Sequence, residues 1–439
     1  MKLLRMGFVL GILGLITAPG MAQETGSAAK GSAINVSEIP QQSTQTTTTR
    51  RAPPTDHKRK QKLPQYLPVD KTRQPAQRTA VASPQSIETV EPETLPEISP
   101  AASLSFLALP DSAEVVPPDT FGAVGPTHLV VACASDMRIS TRVGGVVSTV
   151  SQEHFWTNVA RNIFDTRVVY DPYGQRFIMT AAADPGGPNP RLCIAVSDNS
   201  NPTGTWYRWS EDVDATSPVY ADSPTVGFNK TWIVVQANMF NKTTFQFTRS
   251  DVYAYNKANL YANGTGQRTR LTFPASTGGS QTPATMYDPN IAVVYFAANW
   301  NGSFEGSGFL RLFSLSGGIG SERLNVTNSF GEEIFVEVGR EWAETAAGDA
   351  DILRQLGNST NIYAGDSRIQ NVHFRDGLLY MAHTVFLPAE APTRAAVQWW
   401  AVTAGNGDIR HIGRVDDATG VNMFAYPSIA ANQYHDVLL

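Results

Sequence analysis

Ala221-Asp-Ser-Pro-Thr-Val-Gly227 runs, after three residues, into Thr231-Trp-Ile-Val-Val235. The first segment opens on an Asp-Ser-Pro turn. The second is a short run of β-branched and aromatic residues, so the pair reads as one strand turning into another. The same pairing recurs along the chain. Asp119-Thr-Phe-Gly-Ala-Val124 precedes His128-Leu-Val-Val-Ala-Cys133, and Tyr170-Asp-Pro172 precedes Arg176-Phe-Ile-Met-Thr180. Met286-Tyr-Asp-Pro-Asn-Ile291, Ile369-Gln-Asn-Val372 and Ala425-Tyr-Pro-Ser-Ile-Ala430 mark three further starts. The marks at 119, 171, 222, 288, 371 and 427 lie 52, 51, 66, 83 and 56 residues apart. A period of about 40–60 residues with several short strands per unit predicts an all-β chain, a β-propeller of about five to seven four-stranded blades. Two β-sandwiches are the competing arrangement. The long interval holds Glu332 to Leu356 with Glu341-Trp-Ala-Glu-Thr-Ala-Ala347, read as a helical insertion. Asn432 to Leu439 stops one strand into a unit. That is read as a fragment lacking its last blade, with a closing strand as the alternative.

Composition agrees. Of 439 residues only 17% are charged, with 35 Gly and 28 Pro, which disfavours coiled coils and bundles that need Glu, Lys and Arg on exposed faces. The net charge is −5. Residues 1–78 carry +8, so 79–439 carry −13, and an acidic folded part argues against nucleic acid as a partner.

At the start, Met1-Lys2-Leu3-Leu4-Arg5, an apolar run from Phe8 to Ile16 and Gly20-Met21-Ala22 form a secretory signal with cleavage after about Ala22. No segment of about 20 apolar residues follows, so no transmembrane segment is expected. Residues 23–104 read as a disordered tail rich in Pro, Ser, Thr and Gln. Arg50 to Arg78 holds nine Lys or Arg against two Asp, and the sign flips from Glu88 to Glu114. Such a stretch has too little apolar surface to offset its chain entropy. The propeller is then expected over 105–439, in a secreted or cell-surface protein that is a monomer.

Pro117-Pro-Asp-Thr-Phe-Gly-Ala-Val-Gly-Pro-Thr-His-Leu-Val-Val131 resembles the opening of a largely uncharacterised group of secreted bacterial β-propeller proteins. Asp165-Thr-Arg-Val-Val-Tyr-Asp-Pro-Tyr-Gly-Gln-Arg-Phe177, the stretch Cys193 to Tyr207 and Tyr426 to Ala430 extend that resemblance over most of 117–439. It implies fold and export rather than activity. The Ala195-to-Trp206 stretch also resembles a turn of five-bladed propeller glycosidases of the arabinanase and xylosidase type.

Inner strands of a propeller converge on its axis, so carboxylates at their starts can face one another. Asp119, Asp165 and Asp222 stand at such starts, with Asp171 an alternative to Asp165. Glycoside hydrolysis needs a carboxylate and a carboxylic acid flanking one bond. By resemblance to the propeller glycosidases, Asp119 is the base and Asp222 or Asp165 tunes pKa. The acid is unassigned, with Glu305 and Glu344 as candidates. The plain reading of each Asp is a turn cap before a strand. No cofactor motif is present and no metal site is assigned, although the Asp ring has the oxygen chemistry to hold Ca²⁺. Trp206, Trp232, Trp300 and His383 are candidates for ligand contact, since aromatic faces stack on sugar rings, although most of the Trp residues are expected in the core. Cys133 and Cys193 can form a disulfide if export and geometry allow. The expectation is therefore a binding propeller for polysaccharide or a cell-surface protein, with a glycoside hydrolase as the alternative.

Overall fold

The computed structural model describes residues 23–41, 101–110, 119–215, 218–327, 333–355 and 357–439. The export signal over 1–22 and most of the expected tail lie outside the described residues. Three short strands come first: β1 (Gln23–Ser27), β2 (Ala29–Lys30) and β3 (Ile34–Asn35). Blade one is the antiparallel meander β4 (Phe121–Val124), β5 (His128–Ala132), β6 (Asp136–Thr141) and β7 (Val146–Ser151), followed by the one-turn helix α1 (Gln152–Phe155). Blade two is β8 (Ile163–Asp171), β9 (Arg176–Ala183), β10 (Arg191–Ser197) and β11 (Thr205–Asp212). Blade three is β12 (Val219–Phe228), β13 (Trp232–Asn241), β14 (Phe247–Asn256) and, after the short helix α2 (Lys257–Tyr261), β15 (Gln267–Pro274).

Blade four is β16 (Thr282–Met286), β17 (Val294–Phe304) and β18 (Ser307–Ser316), with an outer edge shared by β19 (Arg323–Asn325) and β20 (Ile334–Val338). A small hairpin, β21 (Leu353–Gln355) and β22 (Asn358–Ile362), leads to blade five. That blade is β23 (Val372–Arg375), β24 (Leu378–Leu387), β25 (Arg394–Thr403) and β26 (Ile409–Val415). A last hairpin, β27 (Ala430–Ala431) and β28 (Val437–Leu438), stands where a sixth unit would start.

The chain is an all-β propeller. Its first strands lie side by side around the axis, with β12 parallel to β16 and β16 parallel to β23. Their starts therefore share one face. Side chains alternate across each sheet, so each blade buries both faces. In blade two, Phe177, Met179, Ala181 and Cys193 pack on blade one, while Ile178, Ala182, Leu192 and Ile194 pack on blade three. This double burial explains unbroken apolar runs such as Leu192–Val196. Six Trp side chains are fully buried between blades. Gly227 marks a close approach of two inner strands, since a Cβ there would stand 2.4 Å from the carbonyl oxygen of Ala284.

Two expectations are corrected. Gln23–Gln41 is not disordered. β1 pairs antiparallel with β15, and β2 and β3 pair with β11, on the outer edges of blades three and two. The Gln41 carboxamide oxygen then accepts from Ser148 Oγ and Thr149 N–H on blade one. A polar segment cannot build a core, but strand pairing needs only backbone groups, and an open sheet edge supplies them. Val36 and Ile39 anchor the strap in the core. The second correction concerns 332–356. Among its described residues there is no α-helix, only β20, a 3₁₀ turn at Ala347–Asp349 and β21. The helix-forming composition is overridden by tertiary bonds. Trp342 N–H donates to Gly302 O, and Ala343 bridges Phe386.

Candidate functional site at the propeller axis

A repeated backbone device builds the site. At or just before the inner strands a residue takes a left-handed conformation: Asp119 (φ 49°), Asp165 (φ 50°), Ser223 (φ 48°), Ser280 (φ 56°) and Tyr426 (φ 54°). Asp and Ser tolerate this region better than bulky residues because their short side chains bond locally. In β8 and β12 the register shifts at the same point, between Phe164 and Arg167 and between Asp222 and Thr225. Such bulges re-aim side chains.

The bulged residues interlock. Asp165 Oδ2 accepts from the Ser223 N–H of the next blade at 2.9 Å. Ser223 Oγ lies 2.9 Å from Asp222 Oδ2 and accepts from Arg368 Nη1 at 2.8 Å. Arg368 forks onto Asp366, Nε to Oδ1 at 2.7 Å and Nη2 to Oδ2 at 2.6 Å, and its Nη1 is 4.0 Å from Asp222. Arg167 donates to Pro224 O at 3.3 Å and to Gln370 Oε1 at 3.1 Å, with its guanidinium 4.8 Å from the Phe121 ring centre. Burial pulls Arg167 down, while Asp165, Asp119 and Asp222 push it back. Burial also opposes Arg368, but the Asp366 charge outweighs it and the guanidinium stays firmly protonated. Asp366 sits below the usual carboxylate range: burial works to raise it, and the charge and hydrogen bonds of Arg368 win.

Beside this network lies Glu344, half-buried. Its Oε1 accepts from Gly302 N–H at 2.6 Å, and its Oε2 accepts from Asn299 and Ser367. Burial pushes it up to about 7 against those donors, with Asp366 adding to the rise. His383 Nδ1 donates to Ser367 O at 3.0 Å from beneath, packed between Trp342 and Trp400. Burial draws His383 and His373 down to about 4.

These shifts predict a pH signature. The folded pKa of Glu344 is above its ordinary 4.5, so folding takes up a proton between pH 4.5 and about 7. Its contribution therefore falls as pH rises through that window. The two histidines lie below their ordinary 6.5, so stability falls as pH drops from 6.5 toward 4. The effects oppose each other in the overlap. Glu344→Gln should leave the histidine effect uncompensated and make acid destabilisation steeper, read as urea midpoints at pH 5, 6 and 7. Parallel profiles for the two proteins would refute this.

Asp119, Asp165 and Asp222 are thus brought together, all acting on Arg167. Asp171 is not with them. It ends β8 at the opposite end, salt-bridged to Lys257 at 2.7 Å. Among the acid candidates Glu344 is at the site, and Glu305 is exposed in the β17–β18 turn. Trp206 and Trp232 are corrected from ligand contacts to core, at 0% and 1% exposure, their indole N–H groups donating to Pro202 O and Glu322. Trp300 packs against Phe304, Phe309 and Phe335. His383 is 1% exposed and supports Ser367 from below. Cys133 and Cys193 are free thiols rather than a disulfide, because Cys133 faces Ser135 while Cys193 is sealed in the core of blade two. Among the described residues no group of three or more His, Cys, Asp or Glu is placed to hold a metal. Two guanidinium groups supply the positive charge of the Asp ring.

Sequence reasoning missed Arg167, Asp366, Arg368 and the exposed Tyr426. A signal for Asp366 was present. Asp119-Thr, Asp165-Thr, Asp222-Ser and Asp366-Ser are one repeated dipeptide, and this register puts the marks for blades two and five at 165 and 366 rather than 171 and 371.

No protein-family model matches the sequence, and no curated protein matches it. Solved structures do show likeness. An exo-β-1,3-galactanase from Phanerochaete chrysosporium with β-1,3-galactotriose aligns at 10% identity, covering 74% of this chain and 71% of that one, with a TM-score of 0.34. An α-L-arabinofuranosidase from Clostridium thermocellum aligns at 12% identity over 67% and 92%, with a TM-score of 0.33. The neuraminidase-like protein of influenza A/little yellow-shouldered bat/Guatemala/060/2010 aligns at 9% identity over 67% and 82%, with a TM-score of 0.36. Among the described residues, no helix is long and apolar enough to cross a membrane.

Proposed function

We propose that this is an exported or cell-surface propeller that binds polysaccharide at the axial face carrying the starts of its inner strands. One observation carries the reading. Tyr426 is 51% exposed and its ring lies over Gly365, beside the Asp366–Arg368 fork. Its hydroxyl donates to Tyr363 O and its backbone N–H to Thr384 Oγ1, so the ring is fixed before any ligand arrives. A fixed aromatic face next to paired charged groups suits a sugar ring, which offers C–H groups on its face and hydroxyls at its edge. The carboxylates of the ring are tied to arginines and backbone, which suits a rigid binding array better than a mobile nucleophile.

A second reading, glycoside hydrolysis, draws on Glu344. A carboxyl raised to about 7 beside Asp366, held below the usual range, is the pattern of an acid and a base set apart by their environments. Glu344 would then protonate the leaving oxygen, Asp119 would activate water, and Asp222 or Asp165 would tune the pair.

Retention of the full chain on a polysaccharide panel, with reducing-end release from the same panel, tests both. Tyr426→Ala should weaken retention about tenfold, the loss of one stacking face, and Tyr426→Phe, which keeps the ring but loses its bond to Tyr363 O, should weaken it less. Unchanged retention with Tyr426→Ala would discard this site. Release abolished by Glu344→Gln would make the protein a hydrolase.

A further inference from the structure

Arg167 and Arg368 counter the ring of Asp119, Asp165 and Asp222, but three further carboxyl groups stand beside it. Asp366 takes the fork of Arg368, Glu344 lies within the field of Asp366, and Asp349 accepts from the Tyr363 hydroxyl at 3.0 Å. Tyr363 is also the residue whose carbonyl fixes the Tyr426 ring. Six carboxyl groups thus meet two guanidinium groups, and with Glu344 protonated these groups still carry three more negative charges than positive ones. Both guanidinium groups are engaged inside the network, Arg368 on Asp366 and Ser223 and Arg167 on Pro224 O and Gln370. Asp165 and Asp222 are buried, so water screens them weakly and their field reaches whatever sits on the face.

The group standing out from this face is Tyr426. Its ring lies over Gly365, and the next residue along the chain is Asp366, whose side chain is 19% exposed. Resting on the reading of this face as a polysaccharide site, we infer that its ligand is a polysaccharide bearing free amino groups, and that uronic and sulfated chains are turned away. An ammonium on a sugar ring stacked over Tyr426 gains from the π face and from the carboxylates around it. An N-acetylated sugar gains only the stack. A carboxylate or sulfate brought to a face with surplus negative charge is repelled.

Isothermal titration of the full chain at pH 6 with a glucosamine tetrasaccharide, its N-acetylated counterpart and a tetragalacturonate tests this. The amine form should bind about tenfold tighter than the acetylated form. That advantage should shrink as salt rises, and the uronate should not bind. Tyr426→Ala should weaken both glucosamine ligands. Asp119→Asn and Asp349→Asn each remove one negative charge and should narrow the ratio of the two affinities severalfold. Asp349→Asn keeps an acceptor for the Tyr363 hydroxyl and does not depend on the Asp119 variant folding. Equal affinity for the amine and acetylated forms, or tighter binding of the uronate, would overturn the amine preference and leave the axial polysaccharide site standing. Binding of none of the three would overturn the preference too, while the polysaccharide panel decides the site itself. An amine preference that none of the three substitutions changes would place the attraction on the acidic surface at large and overturn it as well.

Discussion

Replacing Arg368 by alanine is expected to cost about 2–4 kcal/mol of folding stability and to abolish retention on any polysaccharide held at the axis. Arg368 links the start of blade three to the segment leading into blade five, through Ser223 at 2.8 Å and the fork onto Asp366. Removing it strips Asp366, 19% exposed, of its bidentate partner and takes a second positive charge away from Asp222, 2% exposed. A buried pair is worth little net, but breaking one half leaves a charge with no partner, and that loss is large. Arg368→Lys should recover only part, because an ammonium cannot fork onto both carboxylate oxygens. Asp366 is depressed below its ordinary 3.8 in the folded chain, so its stabilisation is present above that value and is lost as pH falls through its folded pKa. The gap between wild type and Arg368→Ala in urea should therefore narrow below about pH 4. A gap unchanged by acid would show that lost packing, rather than lost charge, is responsible.

The second large effect lies at the other end of blade two. Lys257→Met is expected to cost about 3–5 kcal/mol, measured by urea unfolding at pH 7. Lys257 opens α2, only 4% exposed, and its ammonium lies 2.7 Å from Asp171, which is fully buried at the end of β8. Tyr261 O–H donates to the same Asp171 oxygen at 2.6 Å, and Tyr173 N–H donates to the other at 2.9 Å. The Phe228 ring lies 4.9 Å from the ammonium. Burial pulls Lys257 down and Asp171 pushes it back up, so the charge survives only through its partner. Asp171→Leu alone should cost a similar amount. The double variant Lys257→Met with Asp171→Leu should recover at least half of the summed loss, since neither charge is then stranded. Simple additivity would mean that the pair is not coupled.

Much of this was legible along the chain. The recurring turn and strand pattern predicted blades because a propeller repeats one local meander, and local patterns are what periodicity reports. Asp119, Asp165 and Asp222 could be named for the same reason, since each opens an inner strand. The segment 332–356 misled because Glu341 to Ala347 has helix-forming composition, yet Trp342 is claimed by Gly302 and Ala343 by Phe386. The strap misled in the opposite sense. Its polar residues describe a poor core, but pairing with β11 and β15 draws on backbone groups that composition does not register.

By itself the sequence determined the strand-rich repeat, the acidic folded part and the set of carboxylates at the inner-strand starts, because each follows from residues within a few positions of one another. The tertiary structure alone decided that Arg167 and Arg368 neutralise that ring, that Glu344 stands beside Asp366 with its proton held to about 7, and that Trp206 and Trp232 serve the core. The physical reason is that charge pairing and burial depend on distance across the axis and between blades. Winding the meander about that axis brings together residues hundreds of positions apart, which no local pattern records.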